Sequence, residues 1–337
     1  MAFHAPGSWE GRAGSLMLVG WEGNGLQEPL GLLEDFGPAG LVFFRRNYPP
    51  GGGPELREQL ARIGARALEV LGRPVLLALD GEGGLVKRLP PPHVQLPAAP
   101  MAALMGPGRI FEMALEAGRE MALLGFNLNL APVLDLQVEG GIMAGRSYGP
   151  DPGLVAGCAR AFMEGFRAAG VLTCAKHFPG LGAAMEDPHS VLPSIGLGPE
   201  AMAPHLRPFG ELAASGLPMV MTSHCLYPGL GLDRPATFHG AAAAMLRGRL
   251  SFDGPILSDD LEMGAVAGNL PVGEAAVQAV QAGHDLVLVC RRRRAIEEAH
   301  GALALALASG RLDASRQLAS LGRLGRLLGP GATGDDL

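Results

Sequence analysis

Two pairs of adjacent polar residues in the sequence can do chemistry. Asp259 and Asp260, in the segment SDDLEMG, bring together two carboxyl groups, and a carboxylate can serve as a nucleophile, a base or a metal ligand. Lys176 and His177, in the segment KHFPGLG, provide an amine that can form a Schiff base or bind hydroxyls and an imidazole that titrates near neutral pH. We expect Asp259 to face a binding pocket and Asp260 to hold the loop that follows it.

Asp187 and His189 form a third candidate pair, in the segment AAMEDPHS. The small and polar residues of this segment indicate a mobile loop. On a bent loop the carboxylate can orient the imidazole and stabilise its charged form, as a general acid–base dyad requires. Taken alone, an Asp and a His two residues apart are a weak indication of function.

Four further polar residues are candidates for binding a ligand. Asp80 ends the apolar segment PVLLALD, and His224 ends the apolar segment PMVMTSH. Arg88 follows Asp80 on a glycine-rich excursion of the chain, and Arg146 stands in the segment RSYG. Either arginine can supply directed hydrogen bonds, although a surface position is the default interpretation of an arginine without context.

Eight short apolar segments are predicted to be strands. Each contains at most eight residues, is bounded by Gly, Pro or polar residues, and is too short to form a helix of its own. Most are almost continuously apolar, which is the pattern of parallel strands that are buried on both faces. The segments are 15–20, 40–44, 74–80, 126–133, 171–178, 218–224, 255–260 and 285–290.

Amphipathic helical patterns alternate with these strands. The alternation predicts an α/β protein with a (β/α)8 TIM barrel, and the second choice is a doubly wound open sheet. No GxGxxG motif follows the first strand, which weakens the open-sheet, dinucleotide-binding interpretation. The helical patterns cover 54–71, 110–125, 154–170, 200–215, 239–249, 272–283 and 294–309, and a last pattern at 315–329 is expected on the outside of the barrel.

The polar candidates cluster at the ends of the predicted strands. Asp80, Lys176, His177, His224 and Asp259 all stand at C-terminal strand ends. A barrel brings these ends to one rim, which is where enzymes of this fold carry out their chemistry. Because one buried Asp or His can be explained by a satisfied hydrogen-bond network, the convergence of the whole set is what indicates an active site.

The chain is predicted to form a single domain, because no linker or change of composition divides it. We assign residues 1–13 to an N-terminal extension, 14–329 to the catalytic barrel and 330–337 to a flexible tail. We expect the protein to be a monomer.

Charge and composition exclude several classes of partner. The chain has 27 basic and 33 acidic residues, so its surface does not suit a nucleic acid. No apolar stretch of about 18 residues suits a membrane span, and no signal peptide is evident, so a cytoplasmic protein is expected. The four cysteines lie far apart without a CxxC pair, so neither a disulfide framework nor a zinc site is expected, and the three that lie inside apolar segments are predicted to be buried free thiols. No metal and no cofactor are predicted.

Seven motifs follow one another along the chain. They are LDGEGGLVKRL, NLAPVLDL, AGRSYG, AKHFPGLG, DPHSVLP, MTSHCLYP and LSDDLEMGAV. Their order resembles that of the bacterial β-N-acetylglucosaminidases of glycoside hydrolase family 3, from about residue 14 to residue 325. The resemblance implies a retaining β-N-acetylhexosaminidase that needs no metal. Its substrates would be small molecules with a terminal β-linked N-acetylglucosamine (GlcNAc), either oligosaccharides or the muropeptides released in peptidoglycan recycling.

The resemblance also implies a role for each matching residue. Asp259 would be the nucleophile that forms a covalent glycosyl-enzyme, and His189 would be the general acid/base, supported by Asp187. The residues that would bind the hydroxyl and N-acetyl groups of the terminal sugar are Asp80, Arg88, Arg146, Lys176, His177 and His224.

Four positions depart from the usual motifs of that family. Leu181 replaces the second histidine of KHFPGHG, Pro188 the serine of DSH, Leu85 the arginine of EGGRV, and Gly81 the glutamine of DQEGG. Proline fixes its own backbone dihedral angle φ. Pro188 therefore puts loop closure and substrate preference in question more than it does catalysis.

Other interpretations of the same residues stay open. A Schiff-base lyase or aldolase would use Lys176, and a non-catalytic sugar-binding relative would explain Leu181 and Leu85. A phosphorylase is a third possibility, since a histidine acid/base does not repel an incoming phosphate. The run Arg291–Arg294 could attract anionic muropeptides, although a solvated charged turn is the more common role of such a run.

Overall fold

The computed structural model describes residues 8–328, and the predicted tail 330–337 lies outside this range. Eight parallel strands close into a barrel in the order β1-β10-β9-β8-β7-β6-β3-β2, which confirms the predicted (β/α)8 fold and excludes the open sheet. The other two strands, β4 and β5, pair as an antiparallel hairpin. The strands are β1 (Met17–Val19), β2 (Gly40–Phe43), β3 (Leu76–Leu79), β4 (Gly81–Gly83), β5 (Val86–Lys87), β6 (Leu128–Asn129), β7 (Leu172–Phe178), β8 (Met219–Thr222), β9 (Ile256–Asp260) and β10 (Leu286–Val289).

Each barrel strand lies inside one of the eight segments predicted from the sequence. The strands are shorter than those segments, and β6 shows the largest difference. Beyond β6 the chain continues beside β7 through separate hydrogen bonds, such as Leu134 N to Lys176 O at 2.7 Å. Pro132 lies in this stretch, and because proline has no N–H group it cannot donate a regular ladder bond. Its carbonyl still accepts from Lys176 N at 3.1 Å.

Helices surround the barrel at the predicted places, but the sequence prediction omitted α2 and the shorter helices α1, α4 and α9. Pro29 and Gly31 interrupt the apolar pattern of α2. Pro29 lies in the first turn, where proline is tolerated because that N–H has no partner within the helix. The helices are α1 (Trp9–Gly14), α2 (Gln27–Phe36), α3 (Gly52–Leu71), α4 (Ala99–Met105), α5 (Pro107–Leu124), α6 (Pro152–Ala168), α7 (Pro199–Ala214), α8 (Gly240–Ala244), α9 (Gly264–Ala267), α10 (Val272–Gln281), α11 (Arg293–Ala308) and α12 (Ala314–Leu328).

The N-terminal end of the barrel is covered by helices. Residues 9–13, which we assigned to an extension, belong to α1, and this helix packs on α11 through a hydrogen bond of 2.9 Å between His300 Nε2 and Glu10 O. The predicted position of α12 on the outside of the barrel is wrong. Its Leu324 is buried in the same apolar cluster as Leu18 and Leu76 of the barrel strands, so α12 closes the end of the barrel where the strands begin.

All four cysteines are buried and free, although the sequence predicted burial for three of them. Within residues 8–328, no helix is long and apolar enough to cross a membrane.

Candidate functional site

A cavity of about 560 Å³ lies at the C-terminal ends of the barrel strands. Side chains from β2, β7, β8, β9 and β10, from the β4–β5 hairpin and from the loops that follow the strands form its walls. This is the rim where the sequence predicted an active site. Eight of the nine predicted site residues line the cavity: Asp80, Arg88, Arg146, Lys176, His177, Asp187, His189 and Asp259.

Lys176 and His177 are consecutive residues of β7 that both line the cavity. In a regular strand, neighbouring side chains point to opposite faces, so regular geometry would place only one of the two in the cavity. The peptide bond between them is cis. Both side chains are more than nine-tenths buried.

Lys176 is the centre of a chain of five charged side chains. Its Nζ lies 2.8 Å from Asp80 Oδ1 and 2.7 Å from Glu82 Oε1. Arg88 pairs with Asp80 at 2.7 Å, and Arg146 pairs with both oxygens of Glu82 at 2.7 and 2.8 Å. The sequence analysis gave no role to Glu82, although it stands in the motif LDGEGG. Its function depends on contacts with residues 64 and more positions away.

The pairing in this chain keeps all its members charged. Burial raises the pKa of Glu82, but the charges of Lys176 and Arg146 outweigh burial and bring it down to about 2. Burial likewise opposes ionisation of Asp80, and Lys176 and Arg88 hold its pKa well below the usual range. Burial lowers the pKa of Lys176, but Asp80 and Glu82 raise it further, above its ordinary value. A lysine that stays protonated is not the free amine that a Schiff base requires, which argues against the lyase interpretation.

The loop that carries Asp187 and His189 has the geometry of an acid–base dyad. His189 Nδ1 lies 2.7 Å from Asp187 Oδ1, and the same oxygen accepts from His189 N at 2.9 Å. The bond from the His189 backbone lowers the pKa of Asp187 against a smaller effect of burial. Both side chains are exposed, at 59% for Asp187 and 68% for His189. With Nδ1 bound to Asp187, ring atom Nε2 is left to exchange a proton with a ligand.

This loop rests on the segment that follows Asp259. Gly264 N donates to His189 O at 3.2 Å, and Ala265 N donates to Pro188 O at 3.1 Å. A Cβ atom at position 264 would lie 2.6 Å from His189 O, so only glycine allows the loop to come this close. Pro188, one of the departures from the family motifs, therefore helps to hold the loop in place, because its carbonyl accepts the hydrogen bond from Ala265 N.

Asp259 and Asp260 both line the cavity, but their hydrogen bonds differ. Asp259 Oδ1 accepts from Asp260 N at 2.8 Å. Asp260 Oδ1 accepts from Glu262 N at 3.0 Å and from Cys290 N at 3.2 Å, so Asp260 holds the following loop and the end of β10. Burial, together with the negative charges of Glu262 and Asp259, raises the pKa of Asp260 to about 7.

His224 is the one predicted site residue that is not part of the cavity wall. It is buried, with Nδ1 at 2.9 Å from Thr237 Oγ1 and Nε2 at 3.0 Å from Asp260 O. Burial lowers its pKa, which favours the neutral ring. His224 therefore contacts the backbone behind Asp260 and not the cavity.

Asp135 is a second residue that the sequence analysis missed. Its carboxylate is fully buried and lies 2.7 Å from His177 Nδ1. The only sequence signal was its place in the motif NLAPVLDL. Asp135 also accepts from Leu181 N at 2.6 Å, and Leu181 itself lines the cavity where the family motif has a histidine.

The four arginines of the run Arg291–Arg294 all pair with carboxylates of the same chain. Arg292, for example, lies 2.7 Å from Glu262. The pairing neutralises the run and supports the interpretation as a solvated charged turn. The partners are Glu22, Glu262, Glu28, Asp35, Glu297 and Glu298. Within residues 8–328, no group of three or more His, Cys, Asp or Glu is arranged to hold a metal ion.

Comparisons with known proteins identify the family of the chain. The profile of the glycosyl hydrolase family 3 N terminal domain matches residues 27–327. The β-hexosaminidase of Xylella fastidiosa strain 9a5c is 36% identical over 291 residues, which cover 82% of this chain and 83% of that protein. The β-hexosaminidase of Pseudomonas aeruginosa strain LESB58 is 39% identical over 275 residues, which cover 78% of each chain.

Solved structures show the same likeness. A glycoside hydrolase family 3 β-N-acetylglucosaminidase from Paenibacillus sp. str. FPU-7 superposes with a TM-score of 0.91 and 35% identity, covering 94% of this chain and 61% of that one. The chain thus spans less than two thirds of the Paenibacillus protein. The β-N-acetylhexosaminidase of Beutenbergia cavernae DSM 12333 superposes with a TM-score of 0.85 and 29% identity, covering 97% of this chain and 99% of that one.

Proposed function

The chain belongs to glycoside hydrolase family 3 and is a glycoside hydrolase; from this premise we propose that it is a retaining β-N-acetylhexosaminidase that removes terminal β-linked GlcNAc. The observation that carries the proposal is that Asp259 and the Asp187–His189 dyad line one cavity, together with a chain of charged hydrogen-bonding groups. The names of the relatives, β-hexosaminidases and β-N-acetylglucosaminidases, support the choice of sugar.

The proposed reaction has two steps. In the first, an Asp259 oxygen forms a bond to the anomeric carbon while the bond to the aglycone oxygen breaks, and His189 gives its Nε2 proton to that oxygen. In the second, His189 takes a proton from water, whose oxygen displaces Asp259 from the anomeric carbon, so the configuration is retained. Asp187 stabilises the charged imidazole, as a carboxylate does when it is bound to Nδ1.

The charged chain around Lys176 suits recognition of the sugar. Each guanidinium has five N–H donors and each ammonium has three, so Arg88, Arg146 and Lys176 retain donors after pairing with Asp80 and Glu82. The carboxylates in turn hold these donors in fixed directions. Such groups match the hydroxyl and N-acetyl groups of a pyranose. The finer parts of the proposal are GlcNAc-terminated oligosaccharides or muropeptides as substrates, peptidoglycan recycling as the role, and a cytoplasmic monomer as the working form.

Hydrolysis of 4-nitrophenyl β-N-acetylglucosaminide by the wild type and by Asp259→Asn tests the proposal, with the matching β-glucoside as control. We expect turnover of the acetamido sugar, and a loss of at least about 1,000-fold in the variant, as for removal of other nucleophiles. A folded wild type that turns over neither sugar would contradict the assignment. Repeating the assay with phosphate and identifying the product separates hydrolysis from phosphorolysis, because only phosphorolysis gives a sugar phosphate.

A further inference from the structure

Asp135 is a buried acidic residue that acts on the cavity only through other residues. It follows β6, is completely buried and is not part of the cavity wall. A buried carboxylate is costly unless hydrogen bonds or opposite charges satisfy it. Both of its oxygens have such partners, and all of these partners belong to the segment 177–181, which ends β7 and begins the turn that follows it.

The hydrogen bonds of Asp135 tie two parts of this turn together. Asp135 Oδ2 lies 2.7 Å from His177 Nδ1, and Asp135 Oδ1 accepts from Leu181 N at 2.6 Å. His177 N lies 3.3 and 3.4 Å from the two oxygens. The carboxylate therefore fixes the ring of His177 and also the point from which the chain leaves toward Asp187 and His189.

The contact at Nδ1 determines which nitrogen of His177 carries a proton. An ionised carboxylate can only accept hydrogen bonds, so the ring must donate from Nδ1. In a neutral ring this leaves Nε2 unprotonated, and in a charged ring both nitrogens are donors, with the carboxylate stabilising the charge. Because His177 lines the cavity and its Nδ1 edge is turned to a residue that does not, Nε2 is the atom available to a ligand.

We propose that Asp135 is a positioning residue of this site, which holds His177 in the Nδ1-protonated form and so decides how Nε2 meets a sugar hydroxyl. The inference rests on the proposed function, since it assumes that His177 binds the sugar. Asp135 itself does not touch the substrate. The carboxylate acts as the outer partners of catalytic and metal-binding histidines do, by setting the orientation and the tautomer of the ring.

Asp135→Asn isolates this effect. The amide oxygen of the variant can still accept from Leu181 N, while its NH₂ group replaces the acceptor that faces His177 Nδ1. The ring must then turn its unprotonated nitrogen toward the amide and carry its proton on Nε2. We expect kcat/KM for the GlcNAc substrate to fall by about 10- to 100-fold, the usual effect of removing such an outer partner.

A double-mutant cycle with His177→Gln distinguishes this role from a general structural one. If Asp135 acts through His177, the double variant is no more than about threefold worse than His177→Gln alone. Losses that multiply, or a wild-type rate in Asp135→Asn, would overturn the proposal. Asp285→Asn is the matched control, since Asp285 is a buried carboxylate at the other end of the barrel, and its kcat/KM should stay within about twofold of wild type.

The tautomer can also be measured directly in the wild type, so the proposal does not depend on whether the variant folds. In ¹⁵N-labelled protein the long-range ¹H–¹⁵N spectrum separates the two tautomers, and His177→Gln identifies the signals of His177. We expect a proton on Nδ1 in the wild type and only on Nε2 in Asp135→Asn. A neutral wild-type ring protonated only on Nε2 would refute the inference. This measurement gives the same answer whether or not the protein turns over a GlcNAc substrate, so a failure of the proposed function is recognised separately.

Discussion

The two ends of the barrel each contain a buried carboxylate bound by two cationic side chains. At the C-terminal end, Asp80 pairs with Lys176 at 2.8 Å and with Arg88 at 2.7 Å. At the N-terminal end, Asp285 pairs with Arg247 at 2.6 Å and with Arg323 at 3.0 Å. In this pairing of one carboxylate with two cations the two clusters are alike. Their surroundings decide what each one can do.

The cluster at the N-terminal end is closed. Arg323 and Ser320 come from α12, the helix that covers this end, and Ser320 Oγ donates to Asp285 Oδ1 at 2.6 Å. Ile256 N donates to the second oxygen at 2.8 Å, so Asp285 joins α12 to the starts of β9 and β10. The cluster contributes to stability, and we assign it no other role.

The cluster at the C-terminal end is open to a cavity. Lys176, Asp80 and Glu82 are fixed by one another, yet their side chains form part of the wall that a ligand would meet. The comparison teaches that a charged network alone does not identify an active site. What distinguishes the C-terminal end is a cavity of about 560 Å³ whose wall combines this cluster with polar side chains from separate loops, among them Asp187, His189 and Asp259.

Lys176→Met is expected to give the largest effect and tests whether the open cluster serves activity. The variant leaves Asp80 and Glu82 as facing carboxylates without their shared cation, and it removes a donor to the sugar. We expect kcat/KM to fall by about 1,000-fold or more, as for loss of strong electrostatic stabilisation, and stability to fall by about 3 kcal/mol. Steady-state rates and urea unfolding measure the two. A variant that keeps a tenth of the wild-type kcat/KM would break the assignment of this cluster to function.

Asp285→Asn tests the closed cluster, where we expect a loss of stability without a loss of activity. Arg247 and Arg323 would lose their anion, at an expected cost of about 3 kcal/mol in the free energy of unfolding, because breaking a buried pair leaves uncompensated charge. Both arginine side chains are about one quarter exposed, which keeps the cost at the lower end of that range. Activity at a temperature where the variant is folded should stay within about twofold of wild type. Loss of activity with unchanged stability would reverse the roles of the two ends.

The sequence predicted the functional end better than the closed end, for a physical reason. Asp80, Lys176 and Asp259 stand at strand ends, and barrel geometry alone brings such ends together. Glu82 and Asp135 act through contacts across the fold. Asp135 lies 42 residues before His177, and no local pattern reveals such a contact.

The position of α12 could not be derived from the sequence either. An apolar stripe on a helix shows that one face is buried, but it does not say against what. The outer flank of the barrel and the N-terminal end of its strands both offer apolar surface, so the apolar stripe of α12 could pack against either of them. His224 shows the same limit on a smaller scale, because a residue at a strand end can turn toward the cavity or toward the backbone behind it.

Asp260→Asn is expected to give the smallest effect and sharpens the comparison further. Asp285 is paired with cations, whereas the hydrogen bonds of Asp260 within residues 8–328 come from backbone N–H groups. Because burial raises its pKa to about 7, the folded protein keeps Asp260 protonated between about pH 4 and 7 while the unfolded chain ionises it. The stability that the wild type has with a neutral Asp260 is therefore present at low pH and is lost as the pH rises toward 7.

Asparagine cannot ionise, so the Asp260→Asn variant escapes that loss. Its free energy of unfolding, relative to wild type, should rise between about pH 4 and 7 and then level off, with a gain of about 2 kcal/mol at pH 8. Urea unfolding at a series of pH values measures the difference. If this difference in the free energy of unfolding did not change with pH, ionising Asp260 in the folded protein would cost nothing. The carboxylates at the C-terminal end would then be as well stabilised as Asp285 at the N-terminal end. A rising difference would show that this end gives up stability to keep two carboxylates side by side at the cavity.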